Sequence, residues 1–291
     1  MISLKKILWQ ALLLPLLLPL LPTPLAAQEA PKRVISLAPH ITEIIYKIGA
    51  GDLLVGRTEY CLYPEKAQAV ETAGGYLNPN FEKMVALAPD MVFLFPNTDM
   101  DRKLQMFGMK TFTIPNETVD EILQGITAVG RVLHREAAAG RLAAGIRDTL
   151  NWVQQQMFLR DSLTSTLLLV GRESGSLRGL YAAGKETYLS ELLVMSGGRN
   201  IFADVNARYF DVSKEDLVQR DPEIIMEFRI MEAADSARIT ALKKDWEALP
   251  LLRAVQSGQV EILTERYFLI PGPRISRIAM ALHHLLNRSV E

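Results

Sequence analysis

The chain reads as an α/β protein of two similar parallel-sheet lobes, joined by one long interlobe helix, with a ligand cleft between the lobes. Three observations predict this. Short apolar, β-branched runs alternate with helical segments through short turns, as in a parallel α/β lobe. A long Ala-rich helical stretch interrupts that alternation near the middle of the chain. The second half then repeats part of the first. With 291 residues, 49% hydrophobic and 22% charged, the chain can fill two cores and is unlike a disordered polymer.

Residues 1–27 differ in composition from the rest. Lys5 and Lys6 precede a nearly unbroken apolar run, and Ala26-Ala27 offers small residues to a peptidase. That is the pattern of a cleavable secretory signal, placing the mature protein in the periplasm. An uncleaved anchor is the alternative, because the run approaches spanning length. Pro15, Pro19, Pro22 and Pro24 make it a poor permanent helix. No cysteine lies near the cleavage point, which excludes a lipid anchor there. Losing Lys5 and Lys6 leaves 30 basic against 33 acidic residues, a charge of −3. No long basic block exists, so nucleic acid is not an expected partner. The single cysteine, Cys61, excludes an intrachain disulfide and a multi-cysteine metal knot.

The first lobe is expected over residues 28–132. It opens with a buried strand over 33–38, stopped by Pro39. A helix over 42–48 follows, with Ile44, Ile45 and Ile48 at helical spacing and Gly49 as its stop. Strands are expected at 53–56, 91–95 and 110–114, with a short helix over 80–88. Two apolar-striped helical segments start at Val119, and the second covers about 135–158. At 1.5 Å per residue that segment spans about 36 Å, longer than an ordinary crossover. It predicts a rigid interlobe spine (133–160) and little lobe motion on binding. The second lobe, 161–291, restarts with the apolar run Leu167–Val170.

The repeat is specific. Phe81-Glu82-Lys83-Met84-Val85, followed by Pro89-Asp90-Met91-Val92, aligns with Lys214-Glu215-Asp216-Leu217-Val218 and Pro222-Glu223-Ile224-Ile225, always 133 positions apart. Asn80 is a candidate N-cap, and Ser213 with Asp216 forms a capping box. Glu82 and Glu215 therefore fall in first helical turns, where the macrodipole alone favours an acid. A matched pair of carboxylates, one per lobe, also suits arginines of a partner. Residue patterns leave both readings open.

No phosphate-cradling GxxxxGK[ST], HExxH or GxSxG motif occurs. Gly49-Ala50-Gly51 lacks the third glycine of a dinucleotide fingerprint. Of four histidines, only His40 falls in a strand-to-helix loop open to a ligand, too few for a bare metal site. No catalytic and no metal residue is therefore assigned. Aromatics cluster instead at loop positions: Tyr60, Tyr76 and Phe95 in the first half, and Tyr181, Tyr209, Phe210 and Tyr267 in the second. Such a set suits the wall of a cleft for a wide planar or macrocyclic ligand, although each ring alone can equally pack a lobe interface.

The stretches RVISLAPHITEIIYKIGAGDLLVGRTEYCLYPEKA, GGYLNPNFEKMVALAPDMVF, DVSKEDLVQRDPEIIM and PGPRI resemble the helical-backbone periplasmic binding proteins. That family serves ABC importers of cobalamin (vitamin B12), haem and ferric siderophores, and the cobalamin-binding branch is the nearest in likeness. The resemblance covers essentially the whole mature chain. It implies a monomeric, non-enzymatic receptor without resident cofactor, which captures a corrinoid and hands it to a permease dimer. Haem or a ferric siderophore is the alternative cargo, and a metal-chelate enzyme on paired lobes is a reading of another class. By the same resemblance Tyr60, Tyr76 and Phe95 match aromatic cleft positions, and Tyr209 or Phe210 adds another wall. His40, Tyr60 or Tyr76 would ligate a haem iron, and Arg172 or Arg208 would face a siderophore. Glu82 and Glu215 match the family's two permease-docking glutamates. Near Tyr267 the likeness is loose, at Arg266 and Leu269-Ile270-Pro271.

Overall fold

The computed structural model describes residues 29–157, 162–230 and 235–288. The signal expected over 1–27 and the end of the spine expected at residue 158 lie outside them. The first lobe runs β1 (Val34–Ser36), α1 (Pro39–Lys47), β2 (Leu54–Arg57), α2 (Phe81–Ala86), β3 (Met91–Leu94), α3 (Thr98–Met106) and β4 (Thr111–Thr113). All four strands are parallel, in the order β2-β1-β3-β4. Their side chains alternate between two cores. Val34 and Phe93 face the middle of the molecule, while Ile35, Val92 and Leu94 face an outer cluster with Met84 and Leu104. Helices cover both faces, so the central strands β1 and β3 are buried on both sides almost throughout.

Helix α1 begins three residues before the expected start. Pro39, read as a strand stop, occupies the first helical turn, where its missing N–H leaves no intrahelical bond unmade. Gly49, at φ 76°, ends the helix in the left-handed region as expected.

Past β4 come α4 (Val119–Val132) and α5 (Glu136–Gln155). A Thr118–Glu121 capping box starts α4. His134, at φ 52°, turns the chain between the helices. A Cβ at Gly130 would collide with that of Ala139, so only glycine lets the two helices approach this closely at the corner. The 20 residues of α5 span about 30 Å. Its buried face is Ala139, Ala143, Ile146, Leu150 and Val153, every third or fourth residue.

The second lobe contains β5 (Thr164–Gly171), β6 (Tyr181–Ala183), α6 (Tyr188–Met195), β7 (Gly198–Asn200), β8 (Tyr209–Asp211), α7 (Lys214–Arg220), β9 (Ile224–Phe228), α8 (Ser236–Asp245), α9 (Arg253–Gln256), β10 (Val260–Leu263) and α10 (Ile275–Arg288). β5, β7, β9 and β10 pair in parallel, matching the first sheet. The sheet is nevertheless mixed, because β6 returns antiparallel beside β5, and β8 antiparallel beside β6. Residues 172–180 form too short a connection for a helical crossover, so β6 can only fold back.

The internal repeat is structural as well as sequential. Asn80 and Ser213 cap α2 and α7 by accepting from the N–H groups of Lys83 and Asp216. Ala88 and Asp221 both adopt positive φ, 42° and 43°, just before Pro89 and Pro222. β3 and β9 then start at Met91 and Ile224.

One apolar core runs through both lobes, from Val34 and Ile44 through Ala143 and Leu150 to Leu192 and Leu282. Within it, Glu43 on α1 meets Arg274 just before α10. The guanidinium donates from Nε (2.8 Å) and Nη2 (2.6 Å) to the two carboxylate oxygens. Glu43 is 1% exposed, and burial raises its carboxyl pKa despite the Arg274 partner. Arg274→Leu alone should therefore cost roughly 3–5 kcal/mol by stranding a buried carboxylate. Adding Glu43→Leu should recover most of that loss, as read from urea-unfolding midpoints. A double variant no more stable than the single one would contradict this account of the pair.

Candidate functional site

The segment after the carboxyl end of β1 meets the one after β10 at the seam between the lobes, where Gly272 lies against His40; α/β folds place their ligands at such strand ends. On the first lobe, Phe95 follows β3 directly and stacks on Tyr76, with ring centroids 3.9 Å apart and planes at 26°. His40 lies 6.4 Å from Phe95. Tyr60 sits half exposed in the turn after β2. That turn is tied to the segment carrying Tyr76, because Glu59 N–H donates to the Gly74 carbonyl at 3.2 Å. His40 at the start of α1 and the loop residues Tyr60, Tyr76 and Phe95 thus lie on neighbouring segments of the first lobe.

Two of these side chains are incompletely satisfied. His40 is not in an open loop but in the first turn of α1, 4% exposed, with Gly272 of the second lobe against it. A Cβ at Gly272 would press on the His40 backbone, so glycine permits this close approach. The His40 Nε2 has no hydrogen-bond partner, and burial lowers the imidazole pKa to about 3. The ring is therefore neutral at physiological pH. The buried Tyr76 hydroxyl lies near Asn97 without a well-formed hydrogen bond. Leaving such groups unmatched costs about 1–3 kcal/mol each.

On the second lobe, Tyr181 and Tyr209 stack across β6 and β8, 6.3 Å apart at 22°. Burial, reinforced by Glu117, pushes the Tyr209 hydroxyl well above the ordinary phenol range. With Lys185, Glu186, Asn206 and Arg208 they line a hollow of about 410 Å³. Glu117, on the loop after β4, brings the first lobe to this point: its carbonyl accepts from Tyr188 N–H. Beside it, Val119 N–H donates to Glu191 Oε2 at 2.7 Å.

Three expected wall residues are elsewhere. Arg172 does not face a ligand: its side chain is fully buried, with Nε 2.9 Å from Glu227 and Nη1 2.8 Å from Asp245. Phe210 alternates to the opposite face of β8 from Tyr209 and packs edge-on against Phe202, 5.2 Å away in the outer core. Tyr267 is buried in the interlobe core, stacked on Phe268 at 4.7 Å and flanked by Arg274 and Arg277. Among the described residues, no cluster of three or more His, Cys, Asp or Glu is placed to hold a metal ion.

Glu82 and Glu215 occupy equivalent exposed positions in the first turns of α2 and α7. One turn on, Val85 and Val218 are exposed by 48% and 39%, which gives each lobe the same acid-and-valine face. The repeat contained that valine pair. Lys185, Glu186, Glu117 and the Glu43–Arg274 pair carried no comparable sequence signal.

Residues 34–267 match the family model described as periplasmic binding protein. The chain is 30% identical over 261 residues to the vitamin B12-binding protein of Photorhabdus laumondii, covering 89% of each. It is 30% identical over 256 residues to that of Vibrio cholerae, covering 87% of this chain and 88% of the other. Among solved structures, the periplasmic vitamin B12 binding protein of Vibrio cholerae superposes with a TM-score of 0.75 at 27% identity, covering 90% of this chain and 98% of that one. A periplasmic heme binding protein from Pseudomonas aeruginosa shares the fold, with a TM-score of 0.75 at 22% identity, covering 89% and 94%.

The state of His40 has a consequence for stability. In the unfolded chain its imidazole takes up a proton near pH 6.5; in the fold it does so only near 3. Between these values the unfolded state binds more protons, so acidification lowers stability by up to about 1.4 kcal/mol per pH unit. Urea unfolding across this range should show a shallower pH slope for His40→Gln than for the parent. Equal slopes would contradict the burial of a neutral ring.

Proposed function

This chain belongs to the periplasmic binding protein family, and we propose that it is the periplasmic receptor of an ABC importer, holding a corrinoid between its lobes. The observation that carries the choice of cargo is the likeness, over nearly nine-tenths of both chains, to proteins named for binding vitamin B12. The site chemistry agrees with it. A corrin is wide and apolar on its faces with a rim of amides. Stacked rings on each lobe, Tyr76–Phe95 and Tyr181–Tyr209, offer apolar walls. Such an arrangement holds a guest and needs no acid–base pair. Haem is the second reading, because a periplasmic heme binding protein shares this fold.

Delivery rests on the two matched faces. Glu82 and Glu215, each with an exposed valine one turn on, present the same pattern from two homologous lobes. A permease dimer presents its own surface twice, so one arginine per subunit can meet one glutamate per lobe.

Calorimetry against cyanocobalamin and haemin separates the cargoes. Saturable binding of cyanocobalamin with weaker or absent haemin binding supports the corrinoid; the reverse order transfers the assignment to haem. The double variant Tyr76→Ala, Phe95→Ala should bind cyanocobalamin at least about tenfold more weakly, from lost stacking and buried area. An unchanged affinity would remove these rings from the wall. Glu82→Ala with Glu215→Ala should leave cyanocobalamin affinity intact and reduce uptake in cells that carry the permease. Full uptake by that variant would contradict the docking role.

A further inference from the structure

Away from the aromatic walls, an open groove of about 420 Å³ runs along α5 where α1 ends and α10 begins. Lys47, Arg141, Arg274 and Arg277 line it, with Tyr63 beside them and no carboxylate in the lining. Glu43 pairs with Arg274 and feels the charge of Lys47. Lys47, Arg141 and Arg277 are exposed, and none forms an ion pair among the described residues. Four cations against one carboxylate, in a chain of formal charge −1, concentrate a positive potential at one place.

The groove is also ordered. The Arg274 guanidinium lies 4.4 Å over Tyr63 and 5.5 Å over Tyr267, and the Arg277 guanidinium lies 4.5 Å over the Tyr267 ring. Tyrosine and arginine therefore alternate in a ladder anchored by the interlobe ion pair. Rings that hold guanidinium planes reduce the entropy lost when those groups engage an anion. A singly charged carboxylate would leave cations unmatched. A phosphate group carries more charge and enough acceptor oxygens for donors arriving from three helices.

We propose that this groove is a second binding site, for a phosphate group borne either by a soluble molecule or by a lipid headgroup. It is independent of the cargo between the lobes. The test titrates inorganic pyrophosphate at low ionic strength into the protein and into Lys47→Gln, Arg141→Gln, with thermal unfolding as the check that both are folded. The parent should bind saturably, the variant at least about tenfold more weakly, and added salt should weaken the parent's binding. Sedimentation with phosphatidylglycerol vesicles assigns the source. Vesicle binding that the variant loses identifies a headgroup, and pyrophosphate binding without vesicle binding identifies a soluble ester. No binding in either arm, or equal binding by the variant, overturns the proposal.

Discussion

The bidentate pair between Glu43 and Arg274 is the constraint from which the lobe arrangement follows. It joins residues 231 positions apart, one on the first helix and one at the entry to the last. The carboxylate is buried, and burial outweighs the guanidinium in setting its protonation. Such a pair contributes little net stability compared with well-packed apolar residues, but it penalises any lobe arrangement that separates the two charges. Its neighbours share the constraint. Gly272 lies against His40, and Tyr63 and Tyr267 sandwich Arg274. One guanidinium thus ties α1 of the first lobe to the entry of α10 in the second.

The opposite side of the seam is held by neutral and charge-assisted bonds to the backbone. Tyr188 N–H meets the Glu117 carbonyl, and Glu191 accepts from Val119 N–H. Between these two attachments runs α5, its Ala and aliphatic face buried in a core common to both lobes. A hinge would have to open that core as well as both attachments. On the proposed function, the ring pairs Tyr76–Phe95 and Tyr181–Tyr209 would be presented at a nearly fixed separation, which suits a rigid macrocycle better than a flexible chain.

Much of this was legible in the sequence. The 133-position repeat located α2 with α7 and β3 with β9, because both copies need the same cap, the same left-handed residue and the same proline. Apolar periodicity located the spine. The loop placement of Tyr76 and Phe95 was legible because each follows a turn or strand end. Legibility failed where a side chain's direction depends on a partner distant in sequence. Arg172 has the same sequence signature whether it faces a ligand or closes a buried network with Glu227 and Asp245. Tyr209 and Phe210 are adjacent, and only the pleat of β8 sends one to the seam and the other to the outer core. The antiparallel β6 follows from a connection too short for a crossover, a length that composition does not reveal, and β8 pairs antiparallel because its neighbour β6 is the reversed strand.

Small-angle scattering of the free and cyanocobalamin-saturated protein tests the held-apart architecture most directly. Fixed lobes predict superimposable profiles with an unchanged radius of gyration. A marked contraction on saturation, of the kind a closing hinge produces, would contradict it.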